Sequence, residues 1–224
     1  MELSITLIIV IVTVLVSLGG LTNQKIMEDL IFYPPSIKRG QYYRFISHGF
    51  LHADYFHLAF NMIALYSFGE ILEKDAMFSN PCLFGANGKY VFLALYFLGL
   101  IMASLPDYFR YRNSYHFRSL GASGAVSAVL FAAITLWPQL PIRFFFIPVD
   151  IPGFIFAIIY LVASAYLDKR GGGNINHSAH LWGALFGIVF VLATVQAFTH
   201  LNVYDNFMKQ IQSLKQVLPF DCEL

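Results

Sequence analysis

A polytopic all-α membrane protein with six transmembrane helices is the fold class that the sequence predicts, on three observations. Hydrophobic residues make up 58% of the 224-residue chain and charged ones only 12%, about half the share usual in soluble domains. Six apolar stretches approach the roughly 20 residues that a helix needs to cross the hydrocarbon core. No internal repeat relates them, so the inverted-repeat signature of many transporters is missing. A net charge of +1 without a basic stripe gives no sign of a nucleic-acid partner. Cys82 and Cys222 form neither a metal-type spacing nor a disulfide framework and read as incidental.

The first span runs from about Leu3 to Leu21. Glu2 rather than a basic residue precedes it and no convincing cleavage site follows, so it is read as a retained span and not a signal peptide. Residues Thr22 to Asp54 mix Ile31-Phe32-Tyr33, Pro34-Pro35 and Tyr42-Tyr43 with scattered charges. This loop is too apolar for a free linker and too broken by proline for a span. Its tyrosines favour a structured element at the membrane interface. Five further spans are expected near Tyr55–Leu72, Tyr90–Leu105, Leu120–Trp137, Ile151–Leu167 and Ala179–Thr199. The loop before the last contains Gly171-Gly172-Gly173, a flexible stretch. The tail from His200 to Leu224 has helical spacing at Val203, Phe207, Ile211 and Leu214 and reads as an amphipathic surface helix. The organisation is thus a six-span domain, 1–199, with its first loop at 22–54, and a tail, 200–224.

With six spans, the second, fourth and sixth all begin on one side of the membrane. His57 and Asn61 open the second, Ser123 the fourth and His180 the sixth, so these polar groups enter from one face at similar depth. An ionisable group inside a bilayer is a functional hypothesis by default. A serine hydroxyl is a weak nucleophile until a base within hydrogen-bond reach takes its proton, and histidine is the usual base near neutral pH. The run Gly121-Ala122-Ser123-Gly124 allows a sharp helix entry and the close approach of a substrate backbone. The same small residues, with Ala125 and Ala128, also read as a packing face. So do Gly183, Ala184 and Gly187, which share a helix face with His180. On that reading His180 is an interface histidine bonded to a loop carbonyl.

His57 and Asn61, four apart on one face, are suited to donate to an oxyanion. A metal site built from His48, His52, His57, His177 and His180 is the competing reading. A hydrolytic metal site usually pairs helical histidines with an acidic base, as in His-Glu-x-x-His, and no such sequence occurs. No metal or cofactor is expected, and His48 and His52 read as structural hydrogen-bonders in the interfacial loop.

These residues together resemble the rhomboid family of intramembrane serine proteases. Three motifs occur in the family's order: Tyr43-Arg44 with His52, His57, Asn61 and Glu73; Gly121-x-Ser123-Gly124 with Ala128; and Ala179-His180-x-x-Gly183-xxx-Gly187. The resemblance covers residues 40–190. It implies a six-helix bundle with a partly embedded first loop whose carbonyls Arg44 ties. It also implies Ser123 as nucleophile and His180 as general base, with no acidic third member. His57, Asn61 and the Ser123 N–H would form the oxyanion hole, Gly121 would border the substrate, and the 168–178 loop would cap the site. The implied partners are single-span or other transmembrane proteins in the lipid bilayer, cleaved in or beside their spans at small residues. The alternative is a proteolytically inactive relative that binds membrane clients, although members of that kind typically lack the serine or histidine. A histidine-lined channel is a further rival, which the missing repeat disfavours.

Two departures from the family pattern carry expectations. Tyr43-Arg44 stands where Trp-Arg is usual. Ser127 stands where some members carry an aromatic that packs on the catalytic histidine, so the Ser127 hydroxyl or a water is expected to orient His180 instead. A bacterial inner membrane is the expected location. Loops one, three and five hold nine of the 14 Lys and Arg residues, which positive-inside bias would place in the cytoplasm, whereas the family orientation places them outside it.

Overall fold

Six long helices carry the chain back and forth, and the computed structural model describes residues 3–73, 77–144, 147–171, 173 and 175–213. They are α1 (Ile5–Thr22), α5 (Tyr55–Glu73), α6 (Gly88–Tyr111), α7 (Ser123–Leu136), α8 (Gly153–Arg170) and α9 (His177–Phe198). Three short helices, α2 (Gln24–Leu30), α3 (Pro34–Lys38) and α4 (Arg44–Ser47), fill the first connection with a 3-10 turn at His48–Phe50. An antiparallel hairpin of β1 (Pro141–Phe144) and β2 (Ile147–Pro152) links α7 to α8, and α10 (Val203–Gln212) follows α9. α1, α9 and a segment that includes all of α6 are each long and apolar enough to cross a membrane by length and composition. Large apolar side chains such as Phe56, Phe60, Ile158, Ile159 and Val162 stay exposed on the outer faces of α5 and α8. A bilayer is the solvent that such faces require.

α7 is the centre of the bundle. Every residue from Gly124 to Leu136 is buried, with α5, α6 and α9 packed around it. Close approach in a membrane is achieved with small side chains. A methyl group placed on Gly183 or on Gly187 would lie 2.9 Å from the carbonyl carbon of Gly124 or of Ala128, respectively. α7 and α9 therefore meet backbone to backbone. With 14 residues, α7 is about 21 Å long against a hydrocarbon core of about 30 Å. α10 seals its C-terminal end, where the Gln210 and Asn206 amides donate to the Leu136 carbonyl at 3.0 and 3.3 Å. The N-terminal end is left uncapped by any such helix, and Ser123 there is partly exposed.

The first loop is structured. Phe32 and Ile37 are fully buried within it. The buried Arg44 guanidinium donates to the carbonyls of Glu28 (2.9 Å) and Ile31 (2.7 Å) and to Gln41 Oε1 (2.7 Å). Loop carbonyls away from water need such donors, and one rigid guanidinium serves several. Phe32 and Ser119 exchange two backbone hydrogen bonds at 3.0 and 3.2 Å, which ties the loop to the segment before α7. At the opposite end of α5, the buried Glu73 carboxylate accepts from the N–H groups of Ile5 and Thr6, both at 2.7 Å, and so caps α1.

Several boundaries differ from expectation. The third span continues through Pro106 to Tyr111 instead of stopping at Leu105. A proline normally ends a helix at a cost of about 3 kcal/mol, but here Asp107 is buried and bonded on the far side of it. The fourth span starts at Ser123 rather than Leu120, because Gly121 has φ +116° and breaks the helix. The hairpin occupies a connection that reads as plain loop. Glu2, Gly172, Leu214 and Cys222 lie outside the described residues.

Candidate active site

Ser123 is the first residue of α7, and the turn that delivers it admits only glycine at position 121. A φ of +116° is strained for any other residue, and a Cβ there would lie 2.9 Å from His57 Cε1 and 3.1 Å from His57 Nε2. The Gly121 N–H donates to the His48 carbonyl at 3.0 Å, and the Ala122 N–H to His52 Nε2 at 3.4 Å. Ser17 Oγ donates to the Phe50 carbonyl at 2.8 Å, so its single hydrogen is committed. His52 Nδ1, 2.8 Å from that oxygen, must then be the protonated nitrogen, and Nε2 the acceptor. His52 is thus a neutral imidazole that holds the turn. Burial first, and then the neighbouring His57, push its pKa down to about 3. His48 bonds the Arg44 carbonyl through Nδ1 at 2.8 Å, and burial lowers its pKa to about 4.

His180 lies at the start of α9, and the glycine seam packs that helix start against the start of α7. Gly124 follows Ser123 and Ala179 precedes His180. A methyl on Gly124 would lie 3.4 Å from the Ala179 carbonyl oxygen. Asn176 caps α9: its Oδ1 accepts from the Ala179 N–H at 3.0 Å. The same amide donates to Asp107 Oδ2 at 2.7 Å and to Ser119 Oγ at 3.0 Å. One side chain therefore ties α6, the approach to α7 and the helix that carries His180. His177 and His180 have ring centroids 5.9 Å apart, and His57 lies within electrostatic range of His180.

Ser123, His180, His57 and Gly121 thus converge from α7, α9, α5 and the turn before α7. Asn61 is buried one turn along from His57, and its amide donates to the His57 carbonyl at 3.0 Å. At the N-terminus of α7, the N–H groups of its first turn have no intrahelical partner and form the positive end of the helix dipole. Both ring nitrogens of His52 are engaged, which removes one ligand from the five-histidine metal reading.

Ser127 is engaged elsewhere than on His180. Its Oγ donates to the Ser123 carbonyl at 2.8 Å and lies 2.6 Å from the Tyr160 hydroxyl. The Tyr160 ring, from α8, stacks on His180 with centroids 6.2 Å apart and an interplanar angle of 30°. The sequence reading missed Tyr160, Asp107 and Asn176. An asparagine just before a helix is an N-cap signal that would have found Asn176. Tyr160 carried no such mark.

Residues 39–197 match the Rhomboid domain. The chain is 30% identical over 167 residues to RHOMBOID-like protein 12, mitochondrial, of Arabidopsis thaliana, covering 72% of this chain and 49% of the relative. It is 32% identical to Rhomboid protein 1, mitochondrial, of Saccharomyces cerevisiae, covering 65% of this chain and 40% of the relative. It is 30% identical to the mouse Presenilin-associated rhomboid-like protein, mitochondrial, covering 63% of this chain and 35% of the relative. The chain spans about half or less of the length of these curated relatives. All three are mitochondrial by name, and this overturns the expectation of a bacterial inner membrane. Composition and span count are alike in the two kinds of membrane, so they could not separate them.

Proposed function

This chain belongs to the rhomboid family, and on that premise we propose that it is an intramembrane serine endopeptidase of a mitochondrial membrane. The observation that supports the reading is the close packing of the two helix starts that carry Ser123 and His180, where a methyl on Gly124 would lie 3.4 Å from the Ala179 carbonyl oxygen.

His180 takes the proton of Ser123 Oγ as that oxygen attacks a substrate carbonyl carbon. The carbonyl oxygen becomes an oxyanion, held by the Ser123 N–H at the positive end of α7 and by the His57 and Asn61 side chains. Collapse of the tetrahedral intermediate breaks the C–N bond, and His180 returns its proton to the leaving amine. Water then attacks the acyl-enzyme with His180 again as base, and Ser123 regains its proton. Gly121, with no side chain beside His57, leaves room for the substrate backbone. Asp107 bonds Asn176, so it positions the helix of the base and acts as no third triad member. A substrate helix hides its carbonyls in its own hydrogen bonds and must locally unwind to present one, which favours small and helix-weakening residues near the scissile bond.

Cleavage of a single-span reporter in liposomes by wild type and Ser123→Ala, with a chelator control, tests this function. Cleavage that survives chelation and disappears in Ser123→Ala supports it. No cleavage by a folded wild-type protein over several reporters favours client binding without hydrolysis.

A further inference from the structure

We propose that Tyr160 is a positioning residue for the general base, holding the His180 imidazole from the neighbouring helix α8 through a ring contact that a hydroxyl chain locks in place. The inference rests on the hydrolase reading above for its consequence, while the contact itself is independent of that reading.

Protons fix the direction of the chain. Ser127 has one hydroxyl hydrogen, and it goes to the Ser123 carbonyl at 2.8 Å. The Tyr160 hydroxyl, 2.6 Å from Ser127 Oγ, must therefore be the donor between the two. The order is Tyr160 O–H to Ser127 Oγ, then Ser127 O–H to the carbonyl of Ser123. The far end of Tyr160 is thereby anchored to the backbone of the residue whose side chain His180 serves. Phe131 and Phe156 flank the ring, with centroids at 5.3 and 5.6 Å. With the hydroxyl fixed and two rings beside it, the ring presents one face to the imidazole, 6.2 Å away and 30° from parallel. A histidine at the head of a helix has two free side-chain torsions, and a stacked ring narrows them. α8 buries only Gly153 and Ser164, and the half-buried Tyr160 is its polar attachment to α7 among the described residues.

The chain also explains Ser127. A serine at this position is small enough to let a tyrosine from α8 reach across, and it supplies the acceptor that holds it. Serine at 127 and tyrosine at 160 form one device divided between two helices.

Three variants of the detergent-solubilised full chain separate positioning from packing: Tyr160→Phe, Tyr160→Leu and Ser127→Ala. Tyr160→Phe keeps the ring and loses the anchor; Tyr160→Leu loses both. The expected result is a fall in kcat of about tenfold for Tyr160→Leu and about threefold for Tyr160→Phe, with KM within about twofold. Ser127→Ala matches Tyr160→Phe, and the double variant is no worse than either single one, because both break the same chain. The acidic limb of the kcat/KM profile, which reports the base, moves in Tyr160→Leu and stays in Tyr160→Phe. A second readout needs no turnover. In histidine-labelled protein, with the His180 resonance assigned through His180→Asn, Tyr160→Leu shifts the ring signals of His180 and Tyr160→Phe leaves them nearly in place. An unchanged His180 signal in Tyr160→Leu overturns the inference whether or not the protein cleaves anything. So does an unchanged kcat and pH profile in a protein whose cleavage requires Ser123. Loss of thermal stability in Tyr160→Leu with kcat intact would make the tyrosine a packing residue and overturn it as well. Absence of Ser123-dependent cleavage in wild type refutes the hydrolase reading alone and leaves the resonance test of the contact standing.

Discussion

Gly183→Ala places one methyl group in the seam between α7 and α9, three residues along from His180. That carbon would lie 2.9 Å from the carbonyl carbon of Gly124 and 3.1 Å from its Cα, with the carbonyl oxygen nearer still. Comfortable separations between carbons are about 3.5–4.0 Å, so the helices must part by roughly 1 Å. Neither partner offers a flexible side chain to absorb the shift, because both sides of the contact are backbone. Overpacking of this kind costs about 1–3 kcal/mol of stability. The larger effect falls on turnover, since a 1 Å displacement of a catalytic group costs on the order of 100-fold in rate. Gly187→Ala makes the same kind of collision with Ala128, one turn farther from His180, and serves as the internal control. Both variants are expected to lose similar thermal stability in detergent, while Gly183→Ala loses about 100-fold in reporter cleavage and Gly187→Ala about ten times less. Equal losses in the two variants, or a folded Gly183→Ala that keeps wild-type kcat, would refute the idea that the seam sets the distance between serine and histidine.

Arg44→Ala removes donors from the buried Ile31 carbonyl and the part-buried Glu28 carbonyl and is expected to destabilise the protein by about 2–4 kcal/mol in thermal unfolding, with Arg44→Lys recovering only part because a single ammonium cannot span them. Asn176→Ala deletes the cap of α9 and is expected to cost about 1–2 kcal/mol; Asn176→Asp, which keeps the cap oxygen but turns a donor into a charge facing Asp107, should do no better. Burial holds His48 and His52 neutral, with pKa values near 4 and 3 against 6.5 when unfolded. The unfolded chain therefore binds more protons between these values. The stability due to their neutrality is complete above pH 6.5 and is lost as pH falls toward 4 and then 3, on the order of 3 kcal/mol for His48 and 5 kcal/mol for His52. His48→Asn or His52→Asn should flatten the dependence of denaturation midpoint on pH over that range, and an unchanged slope would contradict the assignment.

The helix count and the shared entry side of His57, Ser123 and His180 were legible because hydropathy marks spans and an even number of crossings fixes the side. Gly121 was legible for the turn, and Arg44 and the first loop through motif order. What was not legible is informative. Pro106 reads as a helix end because local propensity dominates a sequence reading, yet the bond between Asp107 and Asn176, 69 residues apart, holds the helix together beyond it. Tyr160 is one of 13 tyrosines, on a helix apolar on every side, and its meeting with Ser127 and His180 depends on how α8 docks. Ser127 was expected to orient His180 by itself or through a water. Its hydrogen instead goes to the Ser123 carbonyl, and the ring beside the imidazole comes from another helix. The hairpin of β1 and β2 escaped for the opposite reason: its pairing is local and Ile147, Val149 and Ile151 alternate, but Pro141, Pro148 and Pro152 argue against strands.

The most direct test is to expose the purified full chain to a fluorophosphonate, which phosphonylates activated serines with loss of fluoride, and to map the adduct by mass spectrometry in wild type, His180→Ala and Ser123→Ala. A single adduct on Ser123, lost in both variants while each remains folded, is the expected result. Absence of an adduct in folded wild type, or an adduct on Ser123 that persists without His180, would contradict the serine–histidine dyad.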